Sequence, residues 1–343
     1  MSKTMKQWQI AMPGRTNLKL VETAAREPRR GEILIKVAAV SLNYRDGLLI
    51  DTGFGMPENM GEPLVPASDL AGTVVATGED VSRFAAGDRV ISTFIPDWIE
   101  GAGPGTARTP NGRTLGGPLQ GVLAEYVTMS EDWATHAPAK LNQVEASTLP
   151  CAGLTAWTAL VERGNIKAGD RVVVLGTGGV SLFGAQIALM HGAEVIVVSG
   201  DDAKLHRVQQ LGVHHTINRK KEDWVETLYQ ITNDHGADHI LETVGGPHLD
   251  KSLRASAVTG RISMIGILDG LEVSGGFVPL AVKRVVLEGI QVGHRKGLED
   301  LVRAFDRTEI KPIIDAVYSF NELNDALDHL KRGAFGKIVV ELN

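Results

Sequence analysis

The most demanding chemistry in this sequence is written at Val172-Val-Val-Leu-Gly176-Thr177-Gly178-Gly179-Val180-Ser181. A β-branched run, a glycine turn and then an apolar stretch of helix length suit a pyrophosphate. The glycines let the backbone approach the anion, and the first N–H groups of the helix point at it. Ser181 stands where a strict G-x-G-x-x-G carries its third glycine. That position governs how closely helix packs on strand, so a small residue still fits. The reading is a dinucleotide site over residues 176–181.

The choice of nucleotide depends on the end of the next strand, where a carboxylate some 20 residues on would bond a ribose 2′-OH. Here Glu194-Val-Ile-Val-Val-Ser199 closes on a serine. Without a carboxylate there is no repulsion against a 2′-phosphate, and Lys204 and Arg219 are near enough in sequence to supply compensating charge. NADPH is the expected cofactor. NADH stays open, with Asp201 or Asp202 on the ribose and Lys204 in solvent. The single cysteine, Cys151, can form no internal disulfide and cannot alone build a structural zinc site, which takes four Cys or His ligands. A reducing, cytoplasmic setting is expected. The histidines, His214 and His215 included, lack metal spacing and read as surface or packing residues.

Such a turn works only if a sheet holds it. After Pro150 the pattern alternates strand and helix, with strands at 171–175, 194–198, 215–217, 239–243, 261–265 and 289–292. Helices are expected at 180–191, 202–211 and 224–232, with Asp202 and Asp223 as caps. This is an α/β sequence of the doubly wound, parallel-sheet kind. Before Pro150 the pieces are strand-like, at 32–42, 69–77, 89–94 and 122–129, without regular helices. The tail reads helix 298–307, strand 313–317, helix 322–331 and strand 337–342, able to rejoin the first part. Residues 94–121, rich in glycine and proline, read as a long functional loop.

At 343 residues the chain fits two domains on a prior of roughly 150 residues each. With 43% hydrophobic and 22% charged residues it is neither disordered, collagen-like nor a charge-rich coiled coil. Lys and Arg total 35 against 41 Asp and Glu, a net charge of −6, which makes nucleic acid and anionic membrane poor partners. No secretory signal is read in residues 1–15. Residues 172–193 carry no Asp, Glu, Lys or Arg and match a bilayer in length, but their glycines argue for a buried strand, a turn and a helix.

Five stretches carry a resemblance over nearly the whole chain. They are Gly61-Glu-Pro-Leu-Val-Pro-Ala-Ser-Asp-Leu-Ala-Gly72, Phe84-Ala-Ala-Gly-Asp-Arg-Val90, Gly153-Leu-Thr-Ala-Trp-Thr158, the glycine turn, and Phe335-Gly-Lys-Ile-Val-Val340. Together they resemble the medium-chain dehydrogenase/reductase superfamily. The resemblance implies a β-rich, GroES-like (chaperonin-10-like) catalytic domain from residues 1–152 and 292–343, and a Rossmann domain from 153–291. Zinc members hold their catalytic metal at positions that match Asn43, Ser68 and Cys151. Two of the three ligands are therefore missing, the four-cysteine structural lobe is absent too, and no zinc is expected. Cys151 then reads as a small core residue. In this respect the sequence is similar to the zinc-free quinone reductase and enoyl reductase branches.

Without a Lewis acid, hydrogen-bond donors must stabilise the charge that develops on a hydride acceptor. The resemblance puts Ser41-Leu-Asn43-Tyr44-Arg45-Asp46 beside the nicotinamide. Asn43 and Tyr44 are its candidates for orienting or protonating the substrate, and Asp46 for bracing the turn. The plain alternatives are a Tyr44 that packs in the cleft wall while water supplies the proton, and an Asp46 that is only a turn residue. Phe54, Phe94, Trp98 and Phe277 fall in segments the family places round its cleft, and would suit a ring or conjugated chain unless they are simply core. Thr155, Lys337 and the Ile265-Gly266-Ile267 stretch match positions near the cofactor. Val244 is a packing candidate, and Arg295 a weaker one for the phosphates. The expected function is an NADPH-dependent, zinc-independent reductase of a quinone or an α,β-unsaturated carbonyl. An alcohol/aldehyde dehydrogenase of the same superfamily is the first alternative, and a non-catalytic NADPH-binding structural or sensor protein the second. The family further implies a homodimer that pairs edge strands, here at 289–292.

Overall fold

The computed structural model describes residues 4–57, 61–110 and 113–342, so two residues of the 94–121 loop lie outside it. In chain order β1 (Thr4–Ile10), β2 (Leu18–Ala24), β3 (Glu32–Leu42), α1 (Tyr44–Thr52), β4 (Asp69–Thr77), β5 (Arg89–Ser92), β6 (Tyr126–Ser130), β7 (Ala134–His136) and α2 (Gln143–Ala146) come first. A helical connection follows, in which α3 (Leu154–Trp157) is flanked by π-helical turns. Next come β8 (Arg171–Leu175), α4 (Gly179–Met190), β9 (Glu194–Ser199), α5 (Asp202–Gln209), β10 (His215–Asn218), α6 (Trp224–Thr232), β11 (Ala237–Glu242), α7 (Leu249–Ala255), β12 (Ser256–Met264), α8 (Phe277–Val282) and β13 (Val286–Gly289). The tail holds α9 (Arg295–Asp306), β14 (Ile314–Ser319), α10 (Leu323–Arg332) and β15 (Lys337–Glu341). Two compact units result, Met1–Leu154 with Gly293–Asn343, and Thr155–Val292. Among the described residues no helix is long and apolar enough to cross a membrane.

In the first unit the sheet order is β14-β15-β3-β4-β5-β7, with β6 also on β3, so the tail's last strands pair into the sheet begun near the N-terminus. β3 buries Ile33, Ile35 and Val37 on alternate positions, as a strand with one core face must, and then buries all four residues from Ala39 to Leu42. That fully buried end delivers the chain to Asn43. Asn43 is extended, caps α1, and donates its backbone N–H to Asp46 Oδ2 at 2.7 Å. β15 runs antiparallel to β3 with Ile338 opposite Leu42, which fixes Lys337 beside the same point. α10 covers the sheet with Leu323, Ala326 and Leu327, one stripe at helical spacing.

The second unit is a six-stranded parallel sheet in the order β10-β9-β8-β11-β12-β13. This is the doubly wound order, with its switch point between β8 and β11. Val172, Val173, Val174 and Leu175 are all buried, as an interior parallel strand requires. α4 packs so closely that a Cβ on Gly184 would come within 2.5 Å of Leu241 Cδ2. Ser181 donates its hydroxyl to Leu175 O at 2.6 Å and so ties helix to strand.

Several boundaries differ from the sequence reading, each for a local reason. Asp201, not Asp202, caps α5: it is extended and accepts from the Lys204 N–H, while Asp202 is already helical and pairs with Lys221. Asp223 does cap α6. The last strand of the parallel sheet is Val286–Gly289 rather than 289–292, because the chain leaves the sheet after Gly289 and Val292 has φ +53°. The strand expected at 122–129 becomes continuous only from Tyr126 on; before it, Ala124 makes an isolated bridge to Gln7, while Val122 and Leu123 give their N–H groups to the carbonyls of Ala67 and Pro66. The hairpin β1–β2, and α1 in place of a loop, had no expectation attached to them.

Candidate active site

In the second unit the strands all end on one edge of the sheet, where the 176–181 turn, Ser199, Arg219, Val244 and the Ile265–Ile267 stretch lie at or just after strand ends. Gly176 bends away from β8 at φ +83°, and its N–H bonds Val198 O at 2.7 Å. Thr177 is buried, whereas Gly178 is exposed and a Cβ on it would meet nothing within 4 Å. Gly178 caps α4 without a side chain, so no side-chain oxygen competes for the N–H groups of Gly179, Val180 and Ser181. Open space over an uncapped, twelve-residue helix is the cradle a pyrophosphate requires, and these residues fit a dinucleotide.

Ser199, buried, ends β9, and its carbonyl accepts the Arg219 N–H at 3.0 Å. The Lys220 side chain lies over Gly200, with Cε 2.9 Å from where a Cβ would be. Arg219 and Lys220 are exposed and carry no ion pair to any described residue. Lys204 is half-buried on the first turn of α5, and Thr155 is buried at the start of the unit. Val244 and the Ile265–Ile267 stretch follow β11 and β12, where Glu242 organises them. Glu242 is fully buried and accepts from the N–H groups of Val244 and Gly245, from His248 Nδ1 at 2.9 Å and from Ser252 Oγ at 2.5 Å. Its backbone carbonyl takes the N–H groups of Ile265 and Gly266. Burial pushes the Glu242 carboxyl up, but the hydrogen bond and charge of His248, with the Ser252 and Gly245 donors, outweigh it and hold the group below its ordinary value.

The first unit assembles a second polar centre. Lys337, only 3% exposed, donates to Leu42 O at 2.7 Å and to Asn43 Oδ1 at 2.5 Å. Asp69, fully buried at the start of β4, accepts from Ser68 Oγ at 2.6 Å and from the Cys151 N–H at 3.1 Å. Asp46 has one oxygen on the Asn43 N–H, and its Oδ1 has no hydrogen-bond partner among the described residues. Burial raises the Asp46 carboxyl to about 6, with the Asp69 charge adding to it and Arg45, the Asn43 N–H and Lys337 opposing. Burial raises Asp69 as well, against Lys337, Asn43, Ser68 and the Cys151 N–H. The Cys151 thiol is pushed up by burial first and then by the Asp69 charge.

Those facts test the three positions matched to zinc ligands. Asn43 gives its oxygen to an ammonium and Ser68 donates to a carboxylate, so that of the three positions only Cys151 carries a usual zinc-ligand side chain. With a fixed positive charge already bound to Asn43, this donor set does not suit a divalent cation. Among the described residues no other group of His, Cys, Asp and Glu has metal-binding geometry.

The remaining expected residues divide. Tyr44 and Phe54 are about half exposed on and after α1. Phe94 is buried under the Arg45 guanidinium, 5.1 Å from the ring centre, and Trp98 meets the His294 ring edge-on while donating Nε1–H to Gly101 O. Phe277 belongs to the other unit and is 76% exposed on α8. Arg295 is committed to Asp132 Oδ1 at 2.6 Å within the first unit. Lys337, expected near the cofactor, makes its contacts inside the Asn43 centre. The sequence reading passed over Arg45, Asp69, Lys220 and Glu242. An acid at the first or last position of a strand, next to consecutive apolar residues as Asp69 and Glu242 are, is the signal that was there to be used.

Comparison with known proteins agrees with this architecture. Residues 29–139 match the profile described as the alcohol dehydrogenase GroES-like domain, and residues 179–309 that of a zinc-binding dehydrogenase. A zinc-type alcohol dehydrogenase-like protein of Schizosaccharomyces pombe is 36% identical, the match covering 91% of either chain. An acryloyl-coenzyme A reductase of Sulfurisphaera tokodaii is 26% identical over 97% of this chain and 99% of its own. The crystal structure of a candidate alcohol dehydrogenase from Sinorhizobium meliloti superposes with a TM-score of 0.96 at 56% identity, over 99% of each chain.

Proposed function

Since this chain belongs to the medium-chain dehydrogenase/reductase superfamily and is an oxidoreductase, we propose that it reduces a quinone or an α,β-unsaturated carbonyl with NADPH and without zinc. The observation that carries the reading is the Lys337 ammonium on Asn43 Oδ1, a contact that removes the first of the matched ligand positions from metal binding. Acryloyl-coenzyme A, named for the Sulfurisphaera relative, is itself an α,β-unsaturated carbonyl compound. The preference for NADPH is supported by Ser199 at the end of β9, with the unpaired cations Arg219 and Lys220 next to it.

When bound, NADPH supplies the hydride. The 176–181 turn would receive its pyrophosphate, Arg219 and Lys220 would supply charge for a 2′-phosphate, and the Val244 and Ile265–Ile267 backbone that Glu242 holds would be free to contact the rest of the nucleotide. The Asn43–Tyr44 turn orients the acceptor oxygen. The Tyr44 hydroxyl, on a half-exposed side chain, hydrogen-bonds that oxygen as charge develops and passes on a proton. Asp46 keeps the turn in place through the Asn43 N–H. A second reading, alcohol/aldehyde dehydrogenase, draws on the descriptions of the Schizosaccharomyces and Sinorhizobium proteins.

One panel separates the two. Enones, quinones, aldehydes and alcohols are followed by nicotinamide absorbance with NADPH and NADH side by side, before and after a chelator. The expected result is turnover of enones or quinones, roughly tenfold or more in favour of NADPH, and indifference to the chelator. Alcohol oxidation lost to the chelator and restored by zinc would overturn the proposal. We also propose a cytoplasmic homodimer. Val286 and Leu287 on the edge strand β13 and Phe277, Val278 and Val282 on α8 leave a largely exposed apolar strip that supports it, and a monomeric mass in solution would refute it.

A further inference from the structure

Arg45 sits between Tyr44 and Asp46, yet it forms no ion pair with a described carboxylate. Its guanidinium is spread over the 94–121 loop instead. Nη1 donates to Leu115 O and Nη2 to Gly117 O, both at 3.0 Å, while the plane lies over the Phe94 ring. The loop is knotted at the same place. Leu115 N–H bonds Phe94 O at 3.2 Å, Leu119 N–H bonds Thr114 O at 3.1 Å, Gly117 N–H bonds Leu119 O at 3.0 Å, and Thr114 Oγ1 donates to Gly117 O at 2.5 Å. Phe94, Thr114 and Leu115 are all buried. Gly117 has φ +134°, and a Cβ there would strike Leu49 and the Gly55 carbonyl, so the loop touches α1 with no room for a side chain.

We propose that Arg45 is a positioning residue that determines acceptor specificity, by fastening Phe94, Leu115 and Gly117 of the loop to the turn that carries Asn43 and Tyr44. The clamp is observed in the first unit alone; its consequence for specificity rests on the reading that the acceptor is held at Asn43–Tyr44. Two carbonyls that diverge from one guanidinium need a rigid planar fork. A lysine keeps the charge but offers a single point, and cannot hold both carbonyls while stacking on a ring. The loop then moves against α1, and the space between Phe94 and Tyr44 changes shape while the nucleotide elements of the other unit are untouched.

The test compares wild type with Arg45→Lys and Arg45→Met. Amide hydrogen exchange is expected to rise roughly tenfold or more across residues 114–119 in both variants. The KM for the acceptor is expected to rise about tenfold with kcat within about threefold, the ranking of small against bulky acceptors to change, and NADPH affinity to stay the same. Wild-type exchange at 114–119 in both variants would overturn the clamp. Faster exchange with an unaltered acceptor ranking would overturn the specificity role. A wild-type protein that turns over no acceptor defeats the reductase reading instead, and the exchange data still decide the clamp.

Discussion

Each unit buries carboxyl groups near the end of a strand, and the two centres solve that problem in opposite ways. Glu242 is surrounded by four donors, two backbone N–H groups, a histidine and a serine, and its carboxyl lies below its ordinary value. Asp46 and Asp69 share a site with one buried ammonium. Asp46 has an oxygen with no partner among the described residues, and both carboxyls lie above their ordinary values. Donors can be supplied by any turn that curls round an oxygen, whereas a cation must be brought in from elsewhere in the chain, here from β15. Glu242 thus belongs to a framework that is finished before any ligand arrives. The Asp46 centre lacks that completeness in its hydrogen bonds.

The largest effect that would break this comparison is removal of the shared cation. Lys337→Met leaves two buried carboxylates without their counter-charge, and stability at pH 7.5 is expected to fall by about 3–5 kcal/mol. Protonated acids need no counter-charge, so the loss is expected to shrink by pH 5. Urea midpoints at the two values measure it. A small loss independent of pH would mean that the three groups do not act as one charged cluster. Unchanged stability with weakened NADPH binding would return Lys337 to the cofactor role that the family resemblance implies.

The contrast between the units also explains what the sequence revealed. The parallel sheet was legible because Val172–Leu175 and its neighbours repeat a local pattern, and the glycine turn because its chemistry is written in consecutive residues. Lys337, Asp69 and Asn43 are close only because β15, β4 and β3 are adjacent in a sheet whose pairings span most of the chain, and no local spacing reports that. Arg45 was hidden differently. A charge in a polar tetrapeptide looks like a solvated surface group until the loop carbonyls at Leu115 and Gly117 are seen beside it. Asp201 displaced Asp202 as the cap for a smaller reason, since adjacent acids offer the helix two starts and sequence does not rank them.

Glu242→Gln sharpens the other half of the comparison. A glutamine keeps an acceptor for the Val244 and Gly245 N–H groups but turns its amide toward His248 and Ser252, at an expected cost of about 2–3 kcal/mol near neutral pH. The sign of the pH effect follows from the lowered carboxyl. Its contribution is fully present above the ordinary glutamate value, near 4.5, and is lost as pH falls through the lower folded value. The gap between wild type and variant should therefore narrow in acid. Loss of NADPH affinity with retained stability would instead show that Glu242 matters only to the bound state of the turn.

Asp46→Asn gives the smallest effect and the reverse sign. The wild-type carboxyl, raised from 3.8 to about 6, keeps its proton longer when folded than when unfolded. Its stabilising contribution is complete below about pH 4 and disappears as pH rises through about 6. Asparagine still accepts the Asn43 N–H and has no proton to lose over that interval. Relative to wild type, the variant should gain on the order of 1–2 kcal/mol between pH 4.5 and pH 7, less than the full shift implies because Arg45 and Asp69 adjust with it. Melting temperatures taken across that range for both proteins give the difference directly. A difference that stays flat would place Asp46 with Glu242, as an acid whose charge the fold already satisfies, and the distinction between the two centres would disappear.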